Sequence, residues 1–326
     1  MLKIKKGMLN LLVCFMICSL FISGCLEDTS STVSTLIYVD HNGGADYIRI
    51  QDAIDVSVVN STVFVANGSY HETLTIDKSL TMADSSRDNT TIVYDGKKIN
   101  AVDIISINAD NCTIKCFKIM CFKSSTDIKG IVINSSNNAV SNDNISYTAE
   151  GICIEVESTN NNIFQNNIIN NECGIKINYA AFHNYIPNNK ISSNSKYGIF
   201  FITGSRENSI LWNNISLNRY GIRLKGSTSN KIFGNTFINN LLGFYLCCVA
   251  NGNDIFYNEF INNSDWNARD ETQGSTWNNE TIGNYWGDYR EKYPDAVEID
   301  GIWDTPYNIS GGTNKDNYPL INPGLK

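Results

Sequence analysis

From residue 130 onward the chain alternates single apolar residues with polar ones in short stretches, and the whole pattern returns after 21 to 24 residues. Gly130, Gly151, Gly174, Gly198, Gly221 and Gly243 each open a segment of the form Gly-Ile/Phe-x-apolar, at spacings of 21, 23, 24, 23 and 22. Aligned on that glycine, the last five segments form columns. Ile163, Ile186, Ile210, Ile232 and Ile255 make one apolar column, and Ile168, Ile191, Ile215, Phe237 and Phe260 a second. Three further columns are asparagine throughout: Asn161 to Asn253, Asn171 to Asn263, and Asn166, Asn189, Asn213, Asn235 and Asn258.

A unit of this length with three short alternating stretches cannot bury its own apolar face, but copies stacked at ~4.8 Å bury one another's. Each corner then needs a residue that tolerates left-handed backbone and whose amide bonds to its copy one coil above, which asparagine does. The prediction is an all-β, right-handed parallel β-helix with coils of about 22 residues, three sheets and Asn ladders. Leucine-rich repeats share the period but carry one Asn per unit and a Leu-rich consensus, whereas this unit has three Asn and Ile dominates. The predicted organisation is a leader over 1–24, a tether over 25–36, an N-terminal cap and first coils over 37–100, repeats over 101–263 and an irregular C-terminal cap over 264–326. Ile50, Ala53, Ile54, Ser57 and Val58 fall at helical spacing and predict a helix over the open end of the coil. Thr62–Val65 and Leu74–Ile76 are the expected first strands.

Composition sharpens this picture. The 46 asparagines would be costly in helices or ordinary strands, which again demands a structure that uses them. The net charge of −8 and the absence of any basic cluster past Lys6 argue against nucleic acid. Lys3, Lys5 and Lys6 precede an apolar run, Met8–Ile22, too short for a membrane span but suited to secretion. It ends in Ile22-Ser23-Gly24-Cys25, which resembles a lipobox, so Cys25 is the expected lipidation site and the only membrane attachment. Downstream, Cys112, Cys116, Cys121, Cys153, Cys173, Cys247 and Cys248 are odd in number and share no column on adjacent coils, so mostly free thiols are expected.

Candidate chemistry lies on the outward positions two, four and six after each glycine. Glu155 and Glu157 would stand ~6.6 Å apart on one strand, a spacing near that of an inverting glycosidase, and they are the weak catalytic candidates. Glu155, Lys176, Asn178, Phe200, Arg223, Lys225 and Tyr245 form the candidate glycan-binding face. Phe164, Pro187, Leu211, Phe233 and Phe256 form another column, expected to turn inward as core.

Two stretches carry a family likeness. Asn67-Gly68-Ser69-Tyr70-His71-Glu72, with Ile76-Asp77-Lys78-Ser79-Leu80-Thr81, resembles the first coil of many right-handed β-helix proteins. Gly283-Asn284-Tyr285-Trp286-Gly287-Asp288-Tyr289, Asp300 to Ile309 and Asp316-Asn317-Tyr318-Pro319-Leu320 resemble the NosD-type C-terminal signature. The repeats are similar to the parallel β-helix (PbH1) repeats of NosD-like and carbohydrate-binding or sugar-hydrolysing proteins. The resemblance implies the fold and an extracytoplasmic place, and only loosely an activity. Asp295, Glu298, Asp300 and Asp304 resemble the family's acidic loop, which makes them weak Ca²⁺ candidates. Copper delivery is a further implied role. The richest soft-ligand run, Cys112, Cys116, Met120 and Cys121, spans too far on a straight strand to share one ion, and His41, His71 and His183 are scattered, so copper is not expected. The expected function is a lipid-anchored cell-surface binding or structural scaffold for glycans or envelope proteins, without cofactor. A polysaccharide-active enzyme and a copper-delivery accessory are the alternatives.

Overall fold

The computed structural model describes residues 35–84, 89–96, 103–122 and 127–324, so the leader, Cys25 and nearly all of the tether lie outside the described residues. The described chain winds into a right-handed parallel β-solenoid whose three sheets hold ten, nine and ten strands. One coil shows the plan: Asn162–Phe164 contributes to the first sheet, Asn167–Ile169 to the third and Cys173–Ile177 to the second. The register follows the sequence columns. Ile168 pairs with Ile191 and Ile191 with Ile215, while Ile175, Ile199 and Ile222 align in the second sheet. These isoleucines are fully buried, so the core is a set of vertical apolar columns.

The Asn ladders superpose. Oδ1 of Asn189 accepts both the backbone N–H and the side-chain amide of Asn166, at 2.9 and 3.1 Å, and Asn213 treats Asn189 alike. The second amide hydrogen goes to a backbone carbonyl at the corner, as from Asn189 to Ile163 and from Asn213 to Ile186, both at 2.7 Å. Each buried corner is therefore satisfied by a side chain where no sheet bond is available. The chain of bonds runs from Asp143 through Asn166, Asn189, Asn213, Asn235 and Asn258 to Asn284 and Asp316. One expectation needs correcting. The left-handed residue at this corner is the one before the ladder asparagine: Gln165, Asn188, Trp212, Gly234 and Tyr257, with φ between 56° and 69°. The preceding residue makes the turn with its side chain outward, which leaves the asparagine to point inward and bond.

The glycine column also has a steric cause. A Cβ at Gly174 would lie 2.6 Å from the carbonyl oxygen of Gly198 and 2.8 Å from Ile191 Cγ2, because backbone and neighbouring sheet converge at the bend.

The ends depart from expectation in three places. A strand Leu36–Val39, not predicted, precedes the helix Ile50–Val56 and pairs in parallel with Ser61–Val65. The helix buries Ile50, Ala53 and Ile54 in the core, but it stops at Val56, and Val58 is exposed. The coil does not stop at Ser264, since Trp266–Asp270 and Tyr285–Trp286 extend the second and third sheets. Above them sit a short helix, Tyr289–Lys292, and two hairpins. The second apolar column continues into this cap as parallel stacked rings: Phe237 on Phe260 at 4.8 Å, Phe260 on Trp286 at 4.5 Å and Trp286 on Tyr307 at 4.0 Å.

The column Phe164, Leu211, Phe233 and Phe256 faces outward and is half-buried, with Pro187 buried, so the inward expectation fails. Each follows an inward isoleucine and precedes the left-handed corner, so strand alternation still governs it.

Candidate functional site

The outer face of the second sheet is the most chemically dense surface. Its register places Cys153, Lys176, Phe200, Arg223 and Tyr245 in one column, as the spacing from glycine predicts. A second outward column was missed: Lys129, Glu150, Cys173, Tyr197 and Tyr220, each one residue before its glycine. Both the glycine and the following isoleucine face inward across the bend, so simple alternation fails there. The columns were nevertheless readable in the alignment, since this position is occupied by lysine, glutamate, cysteine and tyrosine.

At the N-terminal part of this face, charges form a chain. Lys129 Nζ bonds Glu155 Oε1 at 2.8 Å and stands 3.7 Å from Glu150 Oε2. Lys176 bonds the other oxygen of Glu150, and Asn178 Nδ2 donates to Glu155 Oε2 at 2.7 Å. Partial burial works to raise the pKa of Glu155, but the bonds from Lys129, Cys153 and Asn178 outweigh it and hold the carboxyl below its ordinary value. Burial pushes the Cys153 thiol up.

The expected Glu155 and Glu157 pair does not form. The strand ends at Ile154 and Glu157 turns away in left-handed backbone at φ 62°, as do Ala180 and Gly204 at the equivalent positions. The carboxylate that shares Lys129 with Glu155 is Glu150.

Further along, rings surround a cation. Tyr197 and Phe200 stack at 4.4 Å, Tyr220 and Tyr245 at 6.1 Å, and Arg223 Cζ lies 5.3 to 5.9 Å from all four ring centroids. Arg223 Nη1 donates to the Tyr197 hydroxyl at 3.0 Å. The Tyr245 hydroxyl donates to Glu271 Oε2 at 2.8 Å, and Lys225 is exposed beside this row. Where the charged and aromatic parts meet lies a cleft of about 200 Å³ lined by Glu150, Glu172, Lys176, Lys196, Tyr197 and Phe200. A larger cleft, about 570 Å³, lies beside the N-terminal helix and contains Arg49, His71, Glu72 and Asp95. Its Glu72 carboxylate is engaged by the N–H groups of Ile50 and Gln51.

The C-terminal acidic residues do not assemble. Asp295, Glu298 and Asp300 are exposed, and Asp304 Oδ1 accepts the Val297 N–H at 2.9 Å, closing the loop on itself. Among the described residues no three His, Cys, Asp or Glu side chains gather as a metal-holding group.

The model of the NosD family, described as periplasmic copper-binding protein, matches residues 82–291. No curated protein sequence matches the chain significantly. Among solved structures, a pectin methylesterase from Aspergillus niger is similar at 16% identity over 73% of this chain and 89% of its own, with a TM-score of 0.54. DFA-IIIase from Arthrobacter chlorophenolicus A6 in complex with DFA-III is similar at 14% identity over 64% of this chain and 60% of its own, TM-score 0.53. Geobacillus virus E2 ORF18 follows at 14% identity, 80% and 63% coverage and TM-score 0.51. At such identities these likenesses speak for the β-solenoid alone.

Copper, implied by the family's description, finds no matching donor set among the described residues. Cys112 is buried with its Sγ 3.3 and 3.4 Å from the carbonyls of Ala109 and Lys78, while Cys116 makes a left-handed corner at φ 69°. Met120 faces outward and Cys121 is buried on the strand that follows. His41 packs on Tyr70, His71 stands 3.4 Å from Asp95 and His183 2.5 Å from Glu207, in separate coils. A soft monovalent ion needs sulfur or imidazole donors that converge, and these do not.

Proposed function

We propose that this chain, which belongs to the NosD family, binds a glycan along the outer face of its second sheet, and that lipidation at Cys25 tethers it outside the cytoplasm as a surface scaffold. The periplasmic description of the family supports an extracytoplasmic place. The observation that carries the binding reading is the row of Tyr197, Phe200, Tyr220 and Tyr245 around Arg223, adjoining the cleft of Glu150, Glu172, Lys176 and Lys196.

Ring faces stack on the apolar faces of sugars, while the polar groups at the margin orient hydroxyls. Because coils rise at ~4.8 Å, the row offers a linear chain repeated contacts along its length. Lys176, Lys196, Arg223 and Lys225 stand around the rings against Glu150, Glu172 and Glu271, and this slight cationic excess favours a glycan bearing carboxylates.

Binding rather than cleavage fits the carboxylates. A glycosidase acid must hold its proton near neutral pH, so its pKa is raised. Glu155 is shifted the other way, and Glu157 points away from it.

The test is a glycan array on the soluble chain beginning after Cys25, followed by titration of the best hit. Phe200→Ala and Tyr245→Ala, each removing one ring from the row, should each weaken binding about tenfold, the value of one lost ring contact. Unaltered affinity in both variants, with folding intact by circular dichroism, rules out this face. Release of reducing ends from the bound glycan that Glu155→Gln abolishes would instead establish an enzyme.

A further inference from the structure

In an extended strand, consecutive side chains point to opposite faces, so adjacent cysteines are normally kept apart. Cys247 and Cys248 escape this. The strand Leu242–Cys247 ends at the first of them, and Cys248 and Val249 both take left-handed backbone, with φ of 62° and 66°. Two such residues in succession are costly for chains with side chains. The left-handed backbone at Cys248 swings its thiol back beside the first, with the sulfurs 3.3 Å apart, while Val249 takes the left-handed corner that Glu157, Ala180 and Gly204 take on earlier coils.

The backbone here is pinned, since the Cys247 carbonyl accepts the N–H groups of Gly226 at 3.1 Å and Ala250 at 3.3 Å. Cys247 is buried at the base and Cys248 is exposed, so the pair opens to solvent on one side. Burial and the bond from Cys248 push the Cys247 thiol up, against the pull of Arg223 Nη2 at 3.7 Å from its Sγ.

The separation favours one kind of bound atom. With bonds to sulfur of about 2.3 Å, sulfurs 3.3 Å apart subtend about 90° at a bound atom. A linear two-coordinate ion needs its sulfurs about 4.6 Å apart, and a tetrahedral one about 3.8 Å. A trivalent centre with a lone pair, which bonds three neighbours at near right angles, matches without moving the backbone.

We propose that Cys247 and Cys248 form a chelating dithiol for trivalent arsenic or antimony species, a site independent of the glycan face reading. In the reaction with an arsine oxide, both S–H bonds and the As–O double bond break and two As–S bonds form. The two protons leave with the oxygen as one water, and arsenic stays trivalent throughout.

The experiment uses the reduced full-length chain and phenylarsine oxide, read by intact mass. The expected result is one phenylarsenic group per chain that survives excess 2-mercaptoethanol and is removed by 2,3-dimercaptopropanol, because only a dithiol competes with a chelate. It should vanish in Cys248→Ser, whose exposed position leaves folding intact, and in Cys247→Ser. It should persist in a Cys112→Ser, Cys116→Ser, Cys121→Ser triple variant. An adduct that persists in Cys248→Ser, or one that 2-mercaptoethanol strips from the unaltered chain, overturns the proposal.

Discussion

Replacing Asn213 by alanine tests the ladder, because the side chain makes five hydrogen bonds in a corner fully enclosed by protein. Its Oδ1 accepts the N–H of Asn189 at 2.8 Å and its side-chain amide at 3.0 Å. Its Nδ2 donates to Ile186 O at 2.7 Å, Leu211 O at 3.1 Å and Asn235 Oδ1 at 2.9 Å. Several partners keep another bond: Asn189 Nδ2 still reaches Ile163 O, Leu211 O still accepts from Asn188, and Asn235 Oδ1 still accepts the N–H of residue 213. The Asn189 N–H is left with none. An orphaned buried donor costs ~2 kcal/mol and the four remaining losses ~0.5–1 each, so the expected destabilisation is about 5 kcal/mol. The assay is urea unfolding followed by tryptophan fluorescence, against Asn214→Ala, an exposed neighbour expected within ~0.5 kcal/mol of the parent. Since each coil touches only its neighbours, amide exchange should quicken mainly around residues 186–191 and 210–215. Asn213→Asp keeps the acceptor, replaces two amide donors by at most one O–H and must be buried protonated, so its stability should fall as pH rises while that of the alanine variant does not. Equal midpoints for Asn213→Ala and Asn214→Ala refute the idea that corner amides hold the stack.

Gly198→Ala would place a Cβ 2.5 Å from Gly221 O and 3.0 Å from Ile215 Cγ2, and should cost about 3 kcal/mol in urea unfolding. Gly204→Ala, at φ 86° with its nearest neighbour 3.6 Å away, should cost only ~1 kcal/mol, and equal losses would contradict the steric account of the column. Asp316 accepts from Asn284, Trp286 and Tyr318 in a fully buried site, and desolvation pushes its pKa up to about 6. Its contribution is therefore present in full below the unfolded value of 3.8 and lost as pH rises through 6, by at most ~3 kcal/mol. Measured as the difference between the parent and Asp316→Asn over pH 4 to 7.5, a flat line would show that the carboxyl does not titrate in the fold.

Much of the solenoid was legible because its interior obeys one period. A column such as Ile163, Ile186, Ile210 repeats a burial environment, and identical environments select identical residues. The corner conformation was not legible, because Gln165, Asn188, Trp212, Gly234 and Tyr257 share only φ and not chemistry. Left-handed backbone usually announces itself as glycine or asparagine. Here the ladder holds the corner strongly enough to force Trp212 and Tyr257 into it, so sequence preference is overridden by neighbouring coils. Gly234 is informative in this respect: a Cβ there would collide with the Trp212 indole at 2.6 Å, so the glycine makes room for the ring of the coil below.

The outer face was half legible for a related reason. Alternation places Lys176, Phe200, Arg223 and Tyr245 correctly, since they lie on the straight part of the strand after the bend. It fails on both sides of that stretch. Before it, two consecutive inward residues shift the phase and hide Glu150, Tyr197 and Tyr220; after it, the left-handed turn removes Glu157. The inner columns are dictated coil by coil, whereas the outer columns change from charge at Lys129 and Glu150 to aromatic at Tyr197 and Tyr220 without any cost to stacking. Chemistry is thus free to vary only where packing does not decide the residue, and in this fold a departure from the repeat on an outward column is the signal that locates a site. Cys247 and Cys248 are such a departure, at a place where left-handed backbone at Cys248 brings the sulfurs together.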